Sequence, residues 1–120
     1  MSILAQLWRV SYDGKLQNKL RSWTHSNEKS TIVPDEGIEG FIELPDLKTV
    51  MTVTNGISNE VGFKPKLAKQ NETQLWTLEH PDKKGWRRIY SSVNGLYLTS
   101  GYNGKYTVLT VEQKGTYKVK

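Results

Sequence analysis

A short motif recurs within the chain and constrains its fold more than any other feature. Gln6-Leu7-Trp8-Arg9-Val10 returns as Gln74-Leu75-Trp76-Thr77-Leu78. A degenerate copy, Phe41-Ile42-Glu43-Leu44, lies midway, with Ile42 equally far along the chain from Trp8 and from Trp76. A second set runs in phase with the first. Trp23-Thr24, Met51-Thr52 and Leu98-Thr99 each place a large apolar residue before a threonine, just ahead of a polar turn. Self-similarity at a fixed period takes precedence over other arguments about fold.

The segments between these copies read as short strands. Apolar or β-branched runs, among them Lys15–Leu20, Ser30–Val33, Val61–Leu67, Trp86–Ser92, Tyr106–Val111 and Thr116–Val119, alternate with turn residues. Asp13-Gly14, Asn55-Gly56, Asn94-Gly95 and Asn103-Gly104 supply the positive φ of tight turns, and Pro34-Asp35 supplies a pre-set φ. No helical period is sustained. The repeat therefore predicts an all-β domain of three pseudo-symmetric four-strand units of about 35–45 residues, approximately 6–40, 41–73 and 74–120. One such unit cannot bury its apolar face; three can close around a shared axis as a barrel capped by hairpins.

The 120 residues suit one domain with its own core. The chain has no cysteine, which excludes disulfides and thiolate metal sites and favours a reducing, cytoplasmic setting. Its start lacks the pattern of a signal peptide, and Asn71-Glu72-Thr73 reads as an incidental glycosylation sequon. The net charge is +5 and the isoelectric point near 9.4, a modest bias toward anionic partners. The densest basic cluster is Lys83, Lys84, Arg87 and Arg88, which reads either as a small anion-binding patch or as a solvated hairpin end.

Gln-x-Trp followed by an alternating strand resembles the signature of ricin-B-type lectin repeats. Ser92–Thr99 and Thr49–Gly56 are similar to the turn and strand of that family. The resemblance covers most of the chain, is best from Lys48 onward, and is poor between Thr24 and Gly40. It implies a β-trefoil that commonly binds sugars in shallow pockets, up to one per repeat, and needs no cofactor. It also implies an Asp after the apolar residue of the second motif, beside a stacking aromatic ring and an Asn or Gln. This chain has Thr24, Thr52 and Thr99 in the place of that Asp. A threonine offers one hydroxyl and lacks the charge-assisted, bidentate acceptance of a carboxylate. The departure weighs against ordinary galactose-type binding.

The candidate carbohydrate-binding residues follow by unit. The third unit has Thr99, Tyr102, Asn103 and Tyr106; the second has Thr52, Asn55 and Asn59, with Phe63 as the ring; the first has Thr24 and Asn27. Tyrosine both stacks and donates, though the same residues can simply build the turns. Trp8 and Trp76 read as core, with their glutamines bonding neighbouring backbone. No catalytic reading is supported: His25 and His80 have no metal-ligand spacing, and no nucleophile elbow or phosphate loop occurs. The expected function is a non-catalytic, lectin-like module for a glycan or glycoconjugate. The alternative is a protein- or anionic-membrane-binding trefoil without sugar binding. Nucleic acid is disfavoured, because no basic stripe is interleaved with aromatics. Thr116–Val119 looks like a fourth copy of the first strand, which predicts pairing outside the barrel, exchange into a homodimer, or a chain that is a fragment of a larger protein.

Overall fold

The computed structural model describes residues 3–21, 30–45, 48–55, 59–69 and 71–115, with the side chain of Asn55 left aside. Within them the chain is all-β, with short 3₁₀ turns such as Ile3–Gln6 and Glu72–Gln74. The strands are β1 Trp8–Val10, β2 Leu16–Asn18, β3 Glu43–Leu44, β4 Thr49–Asn55 and β5 Glu60–Lys64, then β6 Trp76–Leu78, β7 Ile89–Ser91, β8 Tyr97–Tyr102 and β9 Thr107–Glu112. β1 and β2 pair with each other, and the other seven form one antiparallel sheet in the order β3-β4-β5-β9-β8-β7-β6.

That sheet curls until its edges meet. Gly40, just ahead of edge strand β3, exchanges two backbone hydrogen bonds with Trp76 of edge strand β6, at 2.8 and 2.9 Å. Closing a sheet satisfies edge groups that otherwise invite pairing with other chains. The joint needs a residue without a side chain, since a Cβ on Gly40 would lie 2.8 Å from Cβ of Pro34.

Two further joints repeat this one. Trp8 of β1 exchanges bonds with Arg87 at 2.8 and 2.9 Å, and the amide of Thr31 donates to the carbonyl of Gly14 at 2.8 Å. Gly14, Gly40 and Arg87 each stand two residues before a buried aliphatic residue: Leu16, Ile42 and Ile89. Three strand pairs are matched in the same way. Arg9 faces Gln17, Ile32 faces Glu43, and Thr77 faces Tyr90. Each first strand thus bonds ahead of the second strand of another pair, and the three pairs form a ring.

This geometry corrects the placing of the middle motif copy. Ile42 does not stand where Trp8 and Trp76 stand. Thr31 holds that place, and Ile42 matches Leu16 and Ile89. The even spacing of the three copies misled because Thr31 is small and carries none of the bulk that marks the other copies. The β4/β5 and β8/β9 hairpins lie side by side on the ring, joined through Glu60 and Thr110 and by the amide of Val111 donating to the carbonyl of Asn59 at 2.9 Å. The expected strand in Ser22–His25 and the tail copy Thr116–Val119 lie outside the described residues.

The core sits inside the ring and beneath the hairpins. Trp8, Trp76, Leu16, Ile42, Met51, Ile89 and Leu98 are buried in it, with Leu109 and Val111 from β9. Each indole also satisfies its N–H: Trp8 Nε1 donates to the Leu98 carbonyl and Trp76 Nε1 to the Met51 carbonyl, both at 2.9 Å. Burial of the indoles without those acceptors would carry a desolvation cost.

Candidate functional site

The Gln and Thr motifs meet in space. Gln6 Nε2 donates to Thr99 Oγ1 (3.1 Å) and to the Gln113 carbonyl (2.8 Å), while Gln6 Oε1 accepts from the Gly115 amide at 2.6 Å. Gln74 repeats the arrangement, donating to Thr52 Oγ1 (3.2 Å) and the Pro65 carbonyl (2.9 Å) and accepting from the Leu67 amide (3.0 Å). Each threonine hydroxyl in turn donates two residues back, Thr99 to Tyr97 at 2.8 Å and Thr52 to Val50 at 3.0 Å. Both hydroxyls are used as donor and acceptor, and Thr52 and Thr99 are only 5% and 1% exposed. These two candidates are internal clasps, out of reach of a shallow surface ligand. Their glutamines use every partner a buried amide needs.

The rest of the third-unit set stands apart from Thr99, at the tip of the β8/β9 hairpin. Tyr102 and Tyr106 are 60% and 63% exposed. Between them Asn103 Oδ1 accepts from the amides of Lys105 (2.9 Å) and Tyr106 (3.0 Å), which sets the turn. Gly104 follows at φ +95°, where an L side chain is strained. The tip is therefore an ordered turn with an aromatic ring on either side, and among the described residues the Asn103 NH₂ has no acceptor.

In the second unit, Asn59 is a turn residue at φ +58°, and its carbonyl ties β5 to β9. Phe63 packs against the core, so it is no open stacking platform. Asn55 closes the β4/β5 register opposite Glu60. Thr24 and Asn27 lie outside the described residues.

Two features escaped sequence reasoning. The first is an open cavity of about 960 Å³ where the turns of the three ring pairs converge. Its rim sets Arg9, Lys84 and Arg87 against Asp13, Asp35 and Glu36, so it offers an ion little net charge. The second is the seating of Arg9. Its guanidinium carbon lies 4.2 Å from the centre of the Trp86 ring, Nε donates to Gln17 Oε1 at 3.1 Å, and Nη1 donates to the Lys84 carbonyl at 3.2 Å. Lys19 Nζ lies 5.7 Å from the same ring. No local pattern signals this contact, because Arg9 and Trp86 meet only through the joint between β1 and Arg87.

Titratable groups elsewhere have structural roles. The Trp86 amide donates to Asp82, which holds that carboxyl below its ordinary range and fastens the turn. Ser11 does the same for Asp13. Partial burial, with the Glu79 carboxylate accepting from its hydroxyl at 2.9 Å, pushes the Tyr97 phenol up. Glu36 contacts His80 Nδ1 at 2.8 Å on the surface. Among the described residues no three His, Asp or Glu side chains form a metal-binding group, and no helix is long and apolar enough to cross a membrane. Comparison with known proteins finds no matching family model, no matching curated protein and no matching solved structure.

Proposed function

We propose that the chain is a β-trefoil and a non-catalytic, lectin-like carbohydrate-binding module. Two observations support the trefoil reading: the three-pair ring and the repeated Gln–Thr clasp. A threefold barrel with hairpin caps accounts for both. The resemblance to ricin-B-type repeats points the same way.

The observation that carries the functional reading is the exposed tyrosine pair at the β8/β9 tip. Aromatic rings held on an ordered turn suit the apolar face of a sugar, and phenol and amide groups suit its hydroxyls. The proposed contact set is Tyr102, Asn103 and Tyr106. Thr52 and Thr99 support the hairpins from beneath. A site of this size is shallow and weak by itself, so useful avidity would come from several copies or ligands.

A glycan-array screen at high protein concentration tests this reading, and silence on every glycan sinks it. Given a hit, Tyr102→Ala and Tyr106→Ala should each weaken binding. The enclosure of both threonine hydroxyls favours a second reading, in which the trefoil binds a protein or an anionic membrane and has no sugar site. A silent array together with salt-sensitive binding to anionic vesicles would support that alternative.

A further inference from the structure

We infer that the face around Trp86 is a second binding site, separate from the tyrosine tip, for a linear sulfated or carboxylated polysaccharide. The case begins with charge. Arg9 and Lys19 approach one indole ring at 4.2 and 5.7 Å, and Arg9 is bonded to the backbone of Lys84, whose side chain is exposed. Lys83 adjoins on the same turn. Among the described residues none of Arg9, Lys19, Lys83 and Lys84 has a carboxylate at ion-pair distance.

Nearby acids offset part of this charge, since Asp13, Asp35 and Glu36 share the cavity rim with Arg9 and Lys84. Asp82 feels the charge of Lys19, but its Oδ1 accepts from the amides of Lys84 and Trp86. Asp13 is hydrogen-bonded by Ser11 and faces Lys15, and Glu36 contacts His80. Four cations, Arg9, Lys19, Lys83 and Lys84, thus share the face around Trp86 with Asp82 as the acid on their own turn, and a bound anion converts their remaining repulsion into attraction.

The arrangement selects the kind of anion. The guanidinium of Arg9 is held in place by the ring, by Gln17 and by the Lys84 carbonyl, so little freedom is lost when it meets an oxyanion. The cations come from two separate segments, the β1/β2 pair and the turn before β7. A single phosphate needs converging donors; charges spread across two segments suit a polymer with regularly spaced anions. Single-stranded nucleic acid would use an open aromatic face for stacking, and Arg9 covers a face of Trp86. Membrane insertion would use a contiguous apolar patch. On this hairpin the exposed Val10 and Tyr12 lie toward one end and Leu20 at the other, beyond β2, so they form no contiguous patch.

The test is binding of the full chain to size-fractionated heparin by calorimetry at low and at near-physiological NaCl. Parallel arms use a single-stranded DNA oligonucleotide and vesicles of phosphatidylcholine carrying a minor fraction of phosphatidylserine. Saturable heparin binding should weaken on the order of tenfold or more between the two salt conditions. Lys19→Glu and Lys84→Glu, both on exposed side chains, should each weaken it at least severalfold with unchanged thermal unfolding. Arg9→Lys keeps the charge but loses the planar fork and should also weaken it. Tyr102→Ala should leave heparin binding intact, so failure of this site and failure of the tyrosine site can be told apart. No heparin binding at low salt, equal binding by the charge-reversal variants, or tighter binding to DNA or vesicles that depends on the same lysines would overturn the assignment.

Discussion

Gln6 and Thr99 are joined by a hydrogen bond of 3.1 Å, and through it the segment leading into the first strand is bound to the last hairpin. The same glutamine holds the backbone of Gln113 and Gly115, so one side chain fastens both ends of the described fold. Gln6→Ala would leave the buried Gly115 amide and the part-buried Gln113 carbonyl without their partner. We expect a loss of about 2–4 kcal/mol in urea unfolding, since each orphaned buried group costs roughly 1–3 kcal/mol. An unfolding midpoint indistinguishable from that of the parent chain would show that water replaces the clasp.

Thr99→Val separates structure from binding. It removes the hydroxyl at nearly constant volume and leaves the Tyr97 carbonyl without that donor. Stability should fall by about 1–2 kcal/mol, while affinity for any glycan found on the array stays unchanged. Selective loss of glycan affinity would return Thr99 to the binding site.

The ring joint at Gly40 can be tested by adding a single methyl group. Its new Cβ would meet Pro34 Cβ at 2.8 Å, closer than real Cβ contacts allow. Gly40→Ala should cost about 1–3 kcal/mol, as overpacking does. Gly104→Ala, with nothing near its Cβ but a φ of +95°, should instead cost about 1 kcal/mol through backbone strain. Tolerance of Gly40→Ala with no change in the melting temperature would mean that this joint yields easily.

Trp8 and Trp76 occupy matching places and should respond alike. Truncation to Ala should cost about 3–5 kcal/mol at either site. Replacement by Phe keeps most of the ring but removes the N–H that meets Leu98 or Met51, and should cost less. A Trp76→Phe variant as damaged as Trp76→Ala would show that the hydrogen bond outweighs the packing.

Tyr97 should make stability fall at alkaline pH. Its phenol titrates higher in the folded chain than in the unfolded one, because partial burial and Glu79 disfavour the phenolate. The stabilisation is therefore complete below the unfolded value of about 10 and is lost as pH rises through the folded value. Tyr97→Phe should flatten this alkaline limb in denaturant titrations at increasing pH. An unchanged limb would assign it to other groups.

The β class, the turns at Asp13-Gly14, Asn94-Gly95 and Asn103-Gly104, and the core places of Trp8 and Trp76 were legible in the sequence. Alternation and turn chemistry act within a few residues, so Asn103-Gly104 marks its hairpin and Leu98 and Val111 mark buried faces without reference to the rest of the chain. The Gln-x-Trp and apolar-Thr motifs were visible too, but only as separate sets of positions. Tertiary structure decided that Gln74 meets Thr52 and Gln6 meets Thr99, because ring closure brings together residues that no local rule connects. It also decided which segment completes the ring. Thr31 takes that place through a backbone hydrogen bond to Gly14, and backbone hydrogen bonds leave no side-chain signature to read. The same reason hid the Arg9–Trp86 contact and moved Thr52 and Thr99 from the expected surface pockets into the interior. Sequence shows which residues can serve as clasp or contact, and closure of the fold determines which of them water or a ligand can reach.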